Sequence, residues 1–143
     1  MIPHGIDAYL DVFANISRAR LVELDALTTD DVHFVDPFHD VRGRAAMRRI
    51  LERMFDTMIE PRFVIERCAA ADDFAFVSWR FSATLKAPRR AVTLIGASEL
   101  HLDPAERVSA HIDHWDAARQ VYEQVPVLGF ILRRLRQRLG ADR

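Results

Sequence analysis

The stretch Arg107-Val108-Ser109-Ala110-His111-Ile112-Asp113-His114-Trp115-Asp116 alternates polar and apolar side chains just before a long amphipathic C-terminal segment. A strand has a period of two, so His111, Asp113 and Trp115 stand on one face and Ile112, His114 and Asp116 on the other. A half-wet antiparallel sheet would turn Val108, Ala110 and Ile112 inward and leave the other set in water. The opposite assignment places a carboxylate, an imidazole and an indole at the mouth of an apolar pocket. Desolvation there raises a carboxylate's proton affinity and lets it act as a base.

Upstream of this strand the period of two extends back to Pro61. Residues 63–70, 74–85 and 91–102 read as three further strands rich in Val, Phe, Ile, Trp and Thr, with 108–116 as the fourth. Asp72-Asp73, Lys86-Ala87-Pro88-Arg89 and Asp103-Pro104-Ala105-Glu106 supply the turns. Before Pro61 the spacing is helical. Ile6, Leu10, Phe13 and Ile16 predict a helix over roughly 4–18, and Leu21, Leu24 and Leu27 a short second one closed by Thr28-Thr29-Asp30-Asp31. Val32-His33-Phe34-Val35 is a short strand stopped by Asp36-Pro37, and 38–43 reads as a loop. Met47, Ile50, Leu51, Met54, Phe55 and Met58 mark a third helix that begins at Arg44 and ends before Pro61. Helices followed by an antiparallel meander make an α+β domain, here a single one over 1–143.

Composition narrows the function classes. In 143 residues, half of them hydrophobic, a formal net charge of −1 offers no basic footprint for nucleic acid. A lone cysteine, Cys68, excludes an internal disulfide and argues against a structural zinc site. The N-terminus lacks a basic region followed by an apolar core, which points to a soluble cytoplasmic protein. At about 120–139 lies an amphipathic helical extension carrying Arg133, Arg134, Arg136 and Arg138. It is expected to dock on the domain or on a second subunit, with contact to an anionic membrane as the weaker alternative.

This order of elements resembles the nuclear transport factor 2-like fold. The resemblance rests on Phe34-Val35-Asp36-Pro37-Phe38 followed by Gly43-Arg44, on the strand holding Gly96, and on the His111 to Asp116 run, and it spans nearly the whole chain. It implies a cone-shaped curved antiparallel sheet wrapped around the N-terminal helices, a cystatin-like α+β barrel with an extra C-terminal helix. It also implies an apolar pocket inside the cone and a homodimer paired through the sheet. Relatives of this fold include SnoaL-like polyketide cyclases, steroid Δ-isomerases and limonene-epoxide hydrolases.

Each relative suggests site residues. Similarity to the steroid isomerases puts Asp36 at their general-base aspartate. Val12 or Phe13 stands where their tyrosine belongs, with Tyr9 one turn away, and Ser98 lies nearest their oxyanion aspartate. Similarity to the epoxide hydrolases aligns Asp113 with a closing-strand carboxylate and Arg80 with the arginine beside it, while Ser82 replaces the second carboxylate. The SnoaL-like cyclases imply an acid–base aspartate and histidine, with no metal or organic cofactor; His111, His114, Asp113 and Asp116 supply candidates, and the other two resemblances favour the face carrying His111 and Asp113. The resemblance thus implies Asp113, His111, Asp36 and Arg80 as catalytic candidates, with Tyr9, Phe13, Phe38, Met54, Trp79, Ser98 and Trp115 around a small apolar or aromatic molecule. Plainer readings stand beside these: Asp36 as a turn-initiating Asp before Pro, and Arg80 with Asp113 as an interstrand ion pair without chemistry. The expected function is small-molecule binding, with cofactor-free isomerase, lyase or cyclase chemistry. The alternatives are a non-catalytic binding or dimerisation module and, more weakly, an epoxide hydrolase.

Overall fold

Ile6, Tyr9, Val12 and Phe13 recur at helical spacing and all are buried, which fixes one face of α1 (His4–Ala14) against the interior. The computed structural model describes residues 1–140, so the last three residues of the expected 1–143 domain lie outside it. Helix α1 stops earlier than the 4–18 spacing predicts. Ser17 starts a separate 3-10 turn over Arg18–Glu23, its Oγ accepting from the Arg20 amide at 3.3 Å. A single turn, α2 (Leu24–Leu27), follows.

Strand β1 (Thr28–Asp36) begins at Thr28, not Val32, because Thr28 and Thr29 are β-branched residues buried by the sheet. The expected loop at 38–43 is instead β2 (His39–Arg42), which turns back on β1 in an antiparallel hairpin. Helix α3 (Arg44–Thr57) buries Met47 and Leu51 and ends ahead of Pro61, as its spacing predicts. The meander follows as β3 (Met58–Ala70), β4 (Phe74–Lys86), β5 (Arg89–Leu102) and β6 (Val108–His114). Pro61 does not bound β3, because it sits in a register shift between Ile59 and Arg62, where no ladder N–H is required.

The strands form one curved sheet in the order β2-β1-β6-β5-β4-β3. Two features depart from a closed antiparallel barrel. The sheet is open, with β2 and β3 as its edges, and β1 runs parallel to β6, Phe34 beside His111 and Val35 beside Ile112. The parallel pair arises because α3 crosses the concave face and delivers the chain to the far edge. The meander then returns toward β1, and its last strand meets β1 in the same direction. Helices α1 and α3 fill the concave face over Val32, Ala75, Val77, Leu100 and Val108.

A register shift beside Leu102 changes how β6 presents its side chains. Val108 and His111 both turn inward although three residues apart, so the simple alternation of Val108, Ala110 and Ile112 is broken. Beyond His114 the edge of β5 has no strand partner. Gln120 takes that place, its Oε1 accepting from the Ile95 amide at 2.7 Å and its Nε2 donating to the Ile95 carbonyl at 3.0 Å. The 120–139 extension, which Pro126 interrupts, consists of α4 (Ala117–Gln120), a 3-10 turn at Tyr122–Gln124 and α5 (Leu128–Leu139). Among the described residues no helix is long and apolar enough to cross a membrane.

Gly96 of β5 lies opposite Trp79 of β4, and a Cβ there would sit 2.7 Å from the indole and 3.0 Å from the His114 carbonyl oxygen. Gly96→Ala is therefore expected to displace the ring and lower stability by about 1–3 kcal/mol. Urea denaturation followed by tryptophan fluorescence checks this; an unchanged midpoint and emission spectrum would show that the indole is not wedged there.

Candidate functional site

Strand alternation turns Trp79, Ser98, His111 and Asp113 to the concave face, and α1 lays Tyr9 and Phe13 across them. A hydrogen-bonded chain joins these residues. Trp79 Nε1 donates to Ser98 Oγ at 2.8 Å, and Ser98 Oγ donates to Asp113 Oδ1 at 2.5 Å. His111 Nε2 lies 2.7 Å from the same Oδ1, and Tyr9 Oη lies 2.7 Å from His111 Nδ1.

An ionised carboxylate only accepts, so one arrangement satisfies every partner. In it the His111 Nε2–H points to Asp113 Oδ1, and Nδ1 accepts from the Tyr9 hydroxyl. All four donors of the chain are then occupied. Asp113 Oδ2 takes no hydrogen bond among the described residues and is not sealed off; the side chain retains 17% exposure. The site therefore presents one unsatisfied acceptor to whatever enters it.

Asp113 borders a cavity of about 50 Å³ walled by Phe13, Phe34, Phe63, Trp79 and Leu100. The rings pack edge-on or tilted, Phe13 to Phe63 at 5.7 Å, Phe63 to Trp79 at 5.9 Å and Phe34 to His111 at 5.0 Å. An engineered cavity of roughly 150 Å³ admits benzene, and ligand pockets commonly span about 300–1,000 Å³. As it stands, the cavity is a small one.

Of the residues singled out from sequence, Tyr9, Phe13, Trp79, Ser98, His111 and Asp113 gather at the cavity and five do not. Arg80 faces the opposite side of the sheet, because Trp79 next to it faces in; its guanidinium meets Glu66 at 3.3 Å, and no Arg80–Asp113 pair forms. Asp36 is occupied by the β1–β2 turn, Oδ1 accepting from the Phe38 and His39 amides at 2.8 Å each and from His39 Nδ1 at 2.9 Å. This is the turn role of an Asp before Pro, away from the cavity. Phe38 is half exposed and stacks edge-on against Trp115 at 5.4 Å, and Trp115 packs against the cluster around Trp79. Met54 packs between the two hydrophobic clusters and does not line the cavity.

Sequence reasoning missed Phe34 and Phe63 as walls. Phe63 shares its strand face with Ile65, and Phe34 shares its own with Val32, so alternation carried the signal. Among the described residues no group of three His, Cys, Asp or Glu side chains is placed to hold a metal ion.

Comparison with known proteins fits this geometry. Residues 6–111 match the model of the SnoaL-like domain. No curated protein sequence matches the chain. Solved structures share the fold at low identity. A Burkholderia pseudomallei NTF2-like protein of unknown function superposes with a TM-score of 0.73 at 15% identity, over 84% of this chain and 96% of its own. A Catenulispora acidiphila protein with a ketosteroid isomerase-like fold, in complex with trimethylamine, gives 0.71 at 16% identity, over 87% and 93%. An M. tuberculosis LEH-like epoxide hydrolase gives 0.65 at 18% identity, over 81% and 83%.

Complete burial, and after it the Asp113 carboxylate, push the Tyr9 phenol well above its ordinary value of 10.0. The folded chain therefore keeps a proton that the unfolded chain releases near that value. The stability tied to Tyr9 is full below it and falls as pH rises toward the folded pKa. In an absorbance titration the folded protein, with its two tyrosines, is expected to lag the denatured chain by one phenol until it unfolds. Parallel phenolate curves for folded and denatured protein would contradict a sealed Tyr9.

Proposed function

The chain belongs to the SnoaL-like domain family, and on that premise we propose that it binds a compact molecule with an apolar body and a single proton donor aimed at Asp113 Oδ2. The observation that carries this reading is the state of the polar chain. Trp79, Ser98, His111 and Tyr9 give all their donors to one another or to Asp113 Oδ1, so only an acceptor is left for a ligand. A ketone or epoxide oxygen finds no donor there. A small alkylammonium ion or alcohol finds both an acceptor and aromatic walls, and a cation gains further from the ring faces. Trimethylamine, held by the Catenulispora relative, is of this class: protonated at neutral pH, it carries one N–H on a small apolar body.

Proton transfer by Asp113 is the second reading, in line with the isomerase and cyclase relatives of the fold. In it, Oδ2 takes a proton from a substrate carbon, the electron pair delocalises into the adjacent unsaturated system, and the same proton returns at another carbon. No atom is lost and no cofactor enters. His111 and Ser98 act as positioning residues that hold Oδ1 so that Oδ2 faces the cavity. What favours simple binding is the lack, among the described residues, of an unoccupied donor at the cavity to stabilise a developing oxyanion.

Calorimetric titration with trimethylammonium chloride, small primary amines, alcohols and cyclohexenone separates the two readings. Ammonium ligands are expected to bind the wild type, and Asp113→Asn to weaken them about 10- to 100-fold, the scale of one charged hydrogen bond. Asparagine keeps an oxygen for Ser98 and His111, and the melting profile reports whether the fold survives. Equal affinity for wild type and variant would overturn the assignment of Oδ2. Isomerisation of cyclohexenone-type substrates that Asp113→Asn abolishes would favour the catalytic reading.

We also assign the outer face of the sheet, where Val64, Phe76 and Ile95 are exposed, to pairing of two copies. Phe76→Asp is then expected to halve the mass in light scattering. An unchanged mass would remove that face from the interface.

A further inference from the structure

Half of the large hydrophobic side chains exposed among the described residues lie in one short segment: seven of fourteen fall between Val125 and Leu139. The helix there is attached to the rest of the chain by its polar side. Arg136 grips the Glu123 carboxylate through Nε at 2.8 Å and a second nitrogen at 3.2 Å, and Arg133 donates to the Glu123 carbonyl at 2.5 Å. The approach is close enough to need a glycine, since a Cβ on Gly129 would meet that carbonyl oxygen at 2.1 Å. Gly129, Arg133 and Arg136 therefore form the docked face of α5.

The apolar stripe points away from this anchor. Leu128, Ile131, Leu132, Leu135 and Leu139 follow the i, i+3, i+4, i+7, i+11 pattern of one helix face. Ile131 and Leu135 are 56% and 51% exposed and Leu139 78%, so the stripe is not part of the domain core. Of the arginines expected in solvent, Arg133 and Arg136 are instead tied to Glu123. Arginines flank the stripe. The segment from Ala117 to Leu139 holds five of them and a single acidic residue, Glu123, already bound by Arg136. The guanidinium groups of Arg119, Arg134 and Arg138 form no salt bridge among the described residues.

We propose that α5 lies flat on an anionic lipid bilayer, its Leu128–Leu139 stripe entering the acyl boundary and its flanking arginines meeting the headgroups. Charge complementarity selects this occupant. Two copies of the stripe packed on each other would bring Arg134 and Arg138 of both helices together, whereas an anionic surface satisfies stripe and flanks at once. The helix spans roughly 18 Å at 1.5 Å per residue, too short to cross a bilayer and long enough to lie in its interface. This inference is independent of the cavity ligand.

Co-sedimentation of the full chain with vesicles tests it. Phosphatidylglycerol–phosphatidylcholine vesicles at low salt are expected to pull down most of the protein. Binding should fall severalfold in high salt or with pure phosphatidylcholine. Ile131→Asp with Leu135→Asp is expected to weaken binding at least 10-fold while the melting profile and solution mass stay unchanged, because both side chains are exposed. Arg134→Gln with Arg138→Gln should reduce binding to anionic vesicles and leave the residual phosphatidylcholine binding as it was. Absence of sedimentation with anionic vesicles, or sedimentation that ignores the Asp variant, overturns the proposal. So does a lower solution mass of that variant, which would assign the stripe to a second copy.

Discussion

One carboxylate oxygen, Asp113 Oδ1, joins the strands and the first helix at the centre of this protein. It accepts from Ser98 on β5 and from His111 on its own strand, while Ser98 accepts from Trp79 on β4 and His111 from Tyr9 on α1. Buried polar groups are costly when unpaired, so each member is tolerable inside the cone only because its neighbour completes it. The chain also has a direction. Protons point from both ends toward Asp113, which leaves the far oxygen, Oδ2, without a hydrogen-bond partner among the described residues.

The aromatic walls set the scale of what can answer. Phe13, Phe34, Phe63 and Trp79 occupy most of the cone and leave about 50 Å³. Within the same open sheet, larger cavities would need smaller side chains at these positions, and Gly96 shows how tightly the present ones are placed: its missing side chain is the space in which the Trp79 indole sits. A scaffold that serves many chemistries is here filled until a small cavity beside Asp113 remains.

The C-terminal segment follows a different logic from the domain. Gln120 substitutes for a missing strand partner at Ile95, and Glu123 holds α5 through arginines, so the segment is attached by polar contacts along the sheet edge. Polar attachment leaves the hydrophobic stripe of α5 turned outward. The domain and its tail thus present separate features, an interior cavity walled by aromatic rings and an exterior hydrophobic stripe.

Periodicity in the sequence determined the main element types, the α+β order and that His111 and Asp113 share one strand face, because side-chain direction in a strand or helix follows from spacing alone. The same rule, applied to Trp79, already implied that Arg80 faces outward, against its alignment with an epoxide-hydrolase arginine. Only the tertiary structure decided the rest. That β1 runs parallel to β6, that a register shift turns both Val108 and His111 inward, and that Asp36 closes a hairpin instead of lining the cavity all depend on which strand edges meet. Tyr9 and His111 are 102 residues apart. No local pattern records that their polar atoms meet, since that contact is fixed by packing α1 across the finished sheet, whereas the outward stripe of α5 follows from the nearby hold of Arg133 and Arg136 on Glu123.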